Sequence, residues 1–216
     1  VFHSSIFHPI TPSYRVITVT GNSELTVRPT IAEVQIEVST QNMDIATAQR
    51  ENASLTNQVI QSLLVLGIDR DDIQTAFFNV MPLYDYVDGR QVFRGYEVRN
   101  AINVTVRNLS DVGVIIDTAI QNGANRISSL KFKVEDESPY YERALSLAIQ
   151  DANSKASAIA RSLGLNYMPQ AIEVTEQSVG GPILFKTVAF TEQAIETPIE
   201  PGTITINATV QVKYQY

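Results

Sequence analysis

Between Pro139 and Gly164 an alanine returns every fourth residue, at Ala144, Ala148, Ala152, Ala156 and Ala160. Residues four apart share one face of an α-helix, so the stretch predicts a long helix carrying a smooth ridge of methyl groups. Small side chains let another backbone approach closely. Leu145, Ile149, Ile159 and Leu163 on the flanks are expected to widen the ridge into an apolar stripe able to cover a core. The end signals agree: Ser138 suits the N-cap, Pro139 the first helical position, Arg161 the last turn, and Gly164 the left-handed residue that stops the helix. Lys155 lies beside the ridge, where a snorkelling or ion-paired lysine is expected and an amine with a lowered pKa is the alternative.

The rest of the chain supplies strands with one wet face and two shorter helices. Val16–Thr20, then Val34, Ile36 and Val38 against Glu33, Gln35 and Glu37, alternate with period two. Asp44 or Asn42 caps a helix reaching Leu66, in which Ala48, Asn52, Leu55, Val59, Leu63 and Leu66 form the inward stripe and Gly67 the stop. Asn52 therefore falls on the apolar face, where it either bonds neighbouring backbone or meets a ligand. Asp111 to Gln121 reads as a short helix with Val112, Ile115, Ile116 and Ala119 inward. Leu130, Phe132 and Val134 give another one-sided strand, Ile172 and Val174 a shorter one, and Ile204 to Tyr214 alternates cleanly to the end.

The segment from Ile73 to Arg107 bears most directly on function. Asp88-Gly89 is a two-residue hairpin signal, and strands of this length would each run for about 50 Å at roughly 3.3 Å per residue. A two-residue turn in regular register sets Phe77 opposite Asn100, Thr75 opposite Ile102 and Ile73 opposite Val104, with Val98, Ile102, Val104 and Val106 toward the core. That register carries Tyr84, Tyr86 and Phe93 to the other face; a three-residue turn with a bulge reverses them. Either way a projecting two-stranded ribbon over about residues 80–96 is expected, and Tyr84, Tyr86, Phe93 and Tyr96 are the candidate interface residues. Asn52, Asn100 and Lys155 are the candidate buried polar residues, structural or ligand-contacting.

Composition narrows the function classes. A net charge of -7 with no basic cluster argues against nucleic acid or an anionic membrane as partner. The absence of cysteine removes disulfides, thiolate metal sites and cysteine nucleophiles. No apolar run approaches the roughly 18 residues of a membrane span. The two histidines, His3 and His8, lie in an N-terminal tail over residues 1–14 at a spacing that suits no metal site. Residues 180–202, with Gly180-Gly181-Pro182, the apolar run Ile183–Phe190 and three spaced glutamates, read as a long surface loop that covers its own domain or a neighbour. Asp69, Asp71 and Asp72 are the carboxylates available to a hydrolase or lyase, but they sit in a polar turn rather than a defined pair. No catalytic residue, cofactor, metal or small-molecule ligand is indicated.

The order of landmarks resembles the SIMPL domain family (DUF541) over about residues 15–216. It is carried by ITVTGNSELTVRP at the first strand, Asn52, LGIDRDDIQT (66–75), Pro82 with Tyr84, Gly95-Tyr96, NGANRI (122–127), ALSLAIQDANSKASAIARSLG with Lys155-Ala156, and TPIEPGTITINATVQV (197–212). Thr30 after Pro29, and Leu165-Asn166 after Gly164, depart from the family habit. The resemblance implies an α+β fold of antiparallel sheets with helices packed on one face, an extracytoplasmic location (periplasm or cell surface) in bacteria and a tendency to form oligomers; it offers no catalytic residues to carry over. The expectation is thus one SIMPL-like domain with a projecting hairpin, acting without catalysis as a homo-oligomer. A ligand- or partner-binding module is the alternative.

Overall fold

A computed structural model describes residues 15–177, 183–184 and 197–216. The His3 and His8 tail, and most of the loop expected over 180–202, lie outside these residues. The chain is α+β: β1 (Val16–Val27), β2 (Ile31–Asn42), α1 (Ile45–Val65), β3 (Ile73–Val87), β4 (Arg90–Val106), α2 (Val112–Gln121), β5 (Arg126–Lys133), α3 (Ser138–Ser162), β6 (Gln170–Gln177), β7 (Ile183–Leu184) and β8 (Ile204–Gln215). Its strands form two sheets, ordered β1-β8-β6 with β7 also on β8, and β3-β4-β2-β5. Two compact units result. One takes the chain through Thr26, then Glu137–Ile183 and Thr205–Tyr216; the other takes Val27–Asp136 and Leu184–Ile204.

In the first unit the alanine ridge of α3 packs on the sheet. All five alanines are buried, and so are the alternating residues Ile204, Ile206, Ala208, Val210, Val212 and Tyr214 of β8. The ridge comes so close to β1 that only glycine fits at position 21. Side chains beside the ridge bond the β1 backbone on either side of that glycine: Asp151 accepts from the Asn22 N–H at 2.9 Å and Lys155 donates to the Thr20 carbonyl at 2.8 Å. Of the flanking residues Leu145 is half-buried, and the other three are exposed. Ile149, Ile159 and Leu163 remain 37%, 39% and 55% exposed, because a narrow sheet of two long strands and the shorter β6 offers a seat little wider than the ridge itself. The cap also differs by one residue. The Glu137 carbonyl accepts the N–H of Tyr141 at 2.9 Å, so Ser138 is the first helical residue and Glu137 the N-cap.

In the second unit α1 and α2 cover one face of the four-stranded sheet. The core between them joins Val34, Ile36 and Val38 of β2, Val59 and Leu63 of α1, Ile102, Val104 and Val106 of β4, and Val112, Ile115 and Ile116 of α2. Asp44 caps α1 by accepting the Thr47 N–H at 2.8 Å. Leu66, expected inward, is instead exposed at the helix C-cap, where the chain has already begun to turn at Gly67. After the undescribed stretch, Thr197 is held on α2 through both its N–H and its hydroxyl by the Asp117 carboxylate, and Ile199 packs on the core.

Candidate functional site

The ribbon is built by β3 and β4. Their turn has two residues, as Asp88-Gly89 demands: Val87 pairs with Arg90, and both turn residues have positive φ. The register is not regular, however. An extra residue, Ala76, is inserted in β3 and another, Arg94, in β4. Phe77 therefore faces Ala101 rather than Asn100, and Phe78 takes the place opposite Asn100. Each insertion shifts side-chain parity by one. The net effect carries Tyr84, Tyr86, Phe93 and Tyr96 to the same face as Val98 and Ile102, with a two-residue turn and no need of a three-residue one.

β2 follows β4 only as far as the pair Asn42 and Tyr96. Beyond it, Leu83–Val87 and Arg90–Gly95 form a two-stranded ribbon whose core-side face lies past the start of α1. There the Phe93 ring meets Tyr84 edge to face at 5.8 Å and Tyr96 at 5.2 Å. Tyr86, 74% exposed, accepts from the Gln91 side-chain amide. Arg94 and Asp85 form an exposed ion pair at 3.6 Å. What the ribbon offers is an apolar Phe93 ring between two tyrosines that bear phenol hydroxyls, suited to contact with another surface. Because the rings meet edge to face, it is not a flat stacking platform.

The remaining candidates lie elsewhere. Asn52 is buried on α1, and its amide donates to the carbonyls of Val38 at 2.9 Å and Val98 at 3.0 Å, tying the helix to β2 and β4. Asn100 is partly buried on β4, and its enclosed side-chain oxygen has no hydrogen-bond partner among the described residues. Lys155 is not buried; it is half-exposed and ion-paired to Asp151 at 2.6 Å.

The carboxylates after Gly67 separate. Asp69 and Asp72 line a cleft of about 410 Å³ with Arg107, Asn108 and Asp111, whereas Asp71 does not. Arg107 is gripped by Asp72 and by Glu135, and these two carboxylates hold its guanidinium more firmly protonated than usual. A carboxylate committed to a guanidinium is an electrostatic anchor rather than a general base. Among the described residues no cluster of three His, Asp or Glu side chains is placed to hold a metal ion.

One feature escaped the sequence reading. On the face of the second sheet opposite α1 and α2, Glu37 is completely buried. Its carboxylate accepts from Arg99 through two nitrogens, at 2.5 and 2.9 Å, and from the Ser128 hydroxyl at 3.0 Å, with Arg126 at 3.6 Å. The bonds from Arg99 dominate and hold the carboxyl below its ordinary value; burial opposes them, and Ser128, Arg99 and Arg126 add to them. Phe77 lies against the same guanidinium at 5.4 Å. This face is therefore an ion-pair network. The alternation Glu33, Gln35, Glu37 marked it as wet, but nothing local marked one carboxylate as enclosed.

Comparison with known proteins fits this architecture. The chain is 32% identical over 155 residues to the uncharacterized protein YggE of Escherichia coli strain K12, covering 70% of this chain and 63% of that protein. It is 27% identical over 210 residues to the 26 kDa periplasmic immunogenic protein of Brucella melitensis, covering 92% and 84%. The chain thus spans somewhat under two thirds of the length of the YggE protein that it matches. The family described as SIMPL, protein of unknown function (DUF541), matches residues 17–214, from the second residue of β1 to the buried Tyr214 of β8, and the chain belongs to that family.

Proposed function

We propose that the protein acts outside the cytoplasm as a noncatalytic homo-oligomer, assembled through the β3–β4 ribbon. The observation that carries this reading is the Tyr84–Phe93–Tyr96 ladder, placed by two bulges on the core-side face of a ribbon with no third strand among the described residues. A two-stranded ribbon is marginally stable alone in water, and aromatic rings are enriched where surfaces are buried between chains. The location is supported by the Brucella relative, whose name places it in the periplasm. None of the described helices is long and apolar enough to cross a membrane. The noncatalytic reading is supported by the Asp72–Arg107 pair, which occupies one of the few carboxylates that line the cleft.

The test is absolute mass by light scattering at two concentrations, for the wild-type chain and for a Tyr84→Ser/Tyr86→Ser/Phe93→Ser variant. A discrete species above 23.9 kDa that the variant lowers, with its far-ultraviolet spectrum intact, is the expected result. A monomeric wild type, or an unchanged mass for the variant, overturns the reading. The second reading, a ligand- or partner-binding module, is favoured by the Asp69, Asp72, Arg107 and Asp111 cleft. A small molecule retained by the purified protein would bring it forward.

A further inference from the structure

Two strands of eight residues stand at sheet edges, β5 in the second unit and β6 in the first. Among the described residues neither has a strand beyond it. The Lys133 carbonyl accepts from the Thr30 N–H, so that residue's polar groups point toward the β2 side. Alternation then sends the N–H and C=O of Leu130 outward. On β8 the Tyr216 N–H bonds the Arg15 carbonyl, so Val212 also points toward β1, and its cross-strand partner Val174 directs its N–H and C=O away from the sheet. Both edges thus offer unused backbone groups from residues whose side chains lie on the helix side: Leu130 packs on the core, and Val174 lies beside buried Val212, itself half-exposed.

The charges of the two edges are opposite. β5 carries Arg126, Lys131 and Lys133; β6 carries Glu173 and Glu176. We propose that β5 of one copy pairs antiparallel with β6 of the next, in the register Ser129 opposite Thr175, Leu130 opposite Val174 and Lys131 opposite Glu173. The proposal rests on the self-assembly reading and names a second surface for it. This register uses the regular stretches beyond the bulges of both strands. It sets apolar against apolar on the helix side, lysine against glutamate on the other, and joins the outward groups of Leu130 and Val174. Sliding by two residues one way would place Leu130 against Glu176, and the other way would place it against Ile172, the bulged residue of β6. Pairing either strand with its own copy would bring like charges together. A contact between unlike edges is heterologous, so it propagates head to tail and closes into a ring or runs on as a filament.

The sequence contains no cysteine, which makes cross-linking clean. Ser129 and Thr175 would form a non-hydrogen-bonded pair, with α-carbons about 4.5 Å apart, inside the range of a disulfide. Oxidation of a mixture of the S129C and T175C chains is expected to give a covalent dimer, and the S129C/T175C double variant a ladder of multimers on a non-reducing gel. In parallel, K131E and E173K should each lower the mass toward 23.9 kDa at concentrations where the wild type is assembled. Mixing the two in equal amounts should restore it, since alternating copies regain both contacts. A wild type that assembles, with no cross-link and no response to either charge reversal, overturns the edge pairing while leaving the ribbon assembly standing. A monomeric wild type overturns both.

Discussion

Gly21 on β1 lies beneath the carbonyl of Ala148 on α3, so close that a β-carbon built on the glycine would fall 2.0 Å from that oxygen and 2.9 Å from the Ala152 methyl. The obstacle is helix backbone, which cannot step aside as the end of a flexible side chain could. Gly21→Ala is therefore expected to destabilise the protein by about 3 kcal/mol, read as a drop in the urea midpoint. Gly164 provides the contrast. It has positive φ and nothing within 4 Å of its missing β-carbon, so Gly164→Ala should cost only the left-handed strain of about 1 kcal/mol. Equal losses for the two would refute the close approach.

Glu37 gives a pH-dependent prediction. Its folded pKa is lowered from 4.5 by the bonds from Arg99, so ionisation stabilises the fold. That contribution is full at pH values above 4.5 and is lost as the pH falls through the folded value. Glu37→Gln removes the charge and leaves Arg99 without its partner. A loss of about 3 kcal/mol is expected at pH 7, with the gap to the wild type narrowing in acid. Urea titrations at pH 7 and pH 3 check it; a gap that does not shrink at pH 3 would mean that the carboxylate charge is not the stabilising element.

Asn52 donates both amide hydrogens to strand carbonyls, so its replacement should act on stability. Asn52→Ala is expected to cost about 1 to 3 kcal/mol. Asn52→Asp should cost more at pH 7, since it faces a carboxylate toward two carbonyl oxygens, and should recover in acid as that carboxylate takes up a proton. Denaturation curves for the two variants at pH 7 and pH 4 test this. An Asn52→Asp variant as stable as the wild type at pH 7 would contradict the bonding described.

What the sequence disclosed and what it hid divide along physical lines. The alanine ridge, the Asp44 cap and the Asp88-Gly89 turn are local devices, set by residues within one helical turn or one hairpin of each other, and all three stand where the sequence places them. The α3 stripe reads wider in sequence than the face it buries, because periodicity defines a helix face without defining the width of the sheet beneath it. The burial of Glu37 depends on Arg99, 62 residues away in sequence, and no spacing rule pairs them. The face of the ribbon aromatics depends on two single-residue insertions. One inserted residue reverses every side chain beyond it, so the turn alone leaves the face of the aromatics open.

That dependence makes Gly95 the most informative position in the ribbon. It follows the inserted Arg94, takes a φ of 133°, and approaches β2 so closely that a β-carbon would lie 2.8 Å from the Asn42 carbonyl. An L side chain is strained there by both backbone angle and contact. If β4 relieves the strain by absorbing the bulge, the pairing of Leu83 with Gly95 continues regularly toward the tip. Tyr84 then faces Arg94, the turn grows to three residues, and Phe93 moves to the opposite face, away from Tyr84 and Tyr96. Gly95→Ala is therefore expected to alter the near-ultraviolet circular dichroism of the tyrosines and lower the assembled mass, with the far-ultraviolet spectrum little changed. Gly89→Ala, at a turn position with φ of 76° and open space around it, strains the turn without touching the bulge and should leave the mass unchanged. If the Gly95 variant kept both its tyrosine signal and its mass, the bulge would not be what holds Phe93 between the two tyrosines.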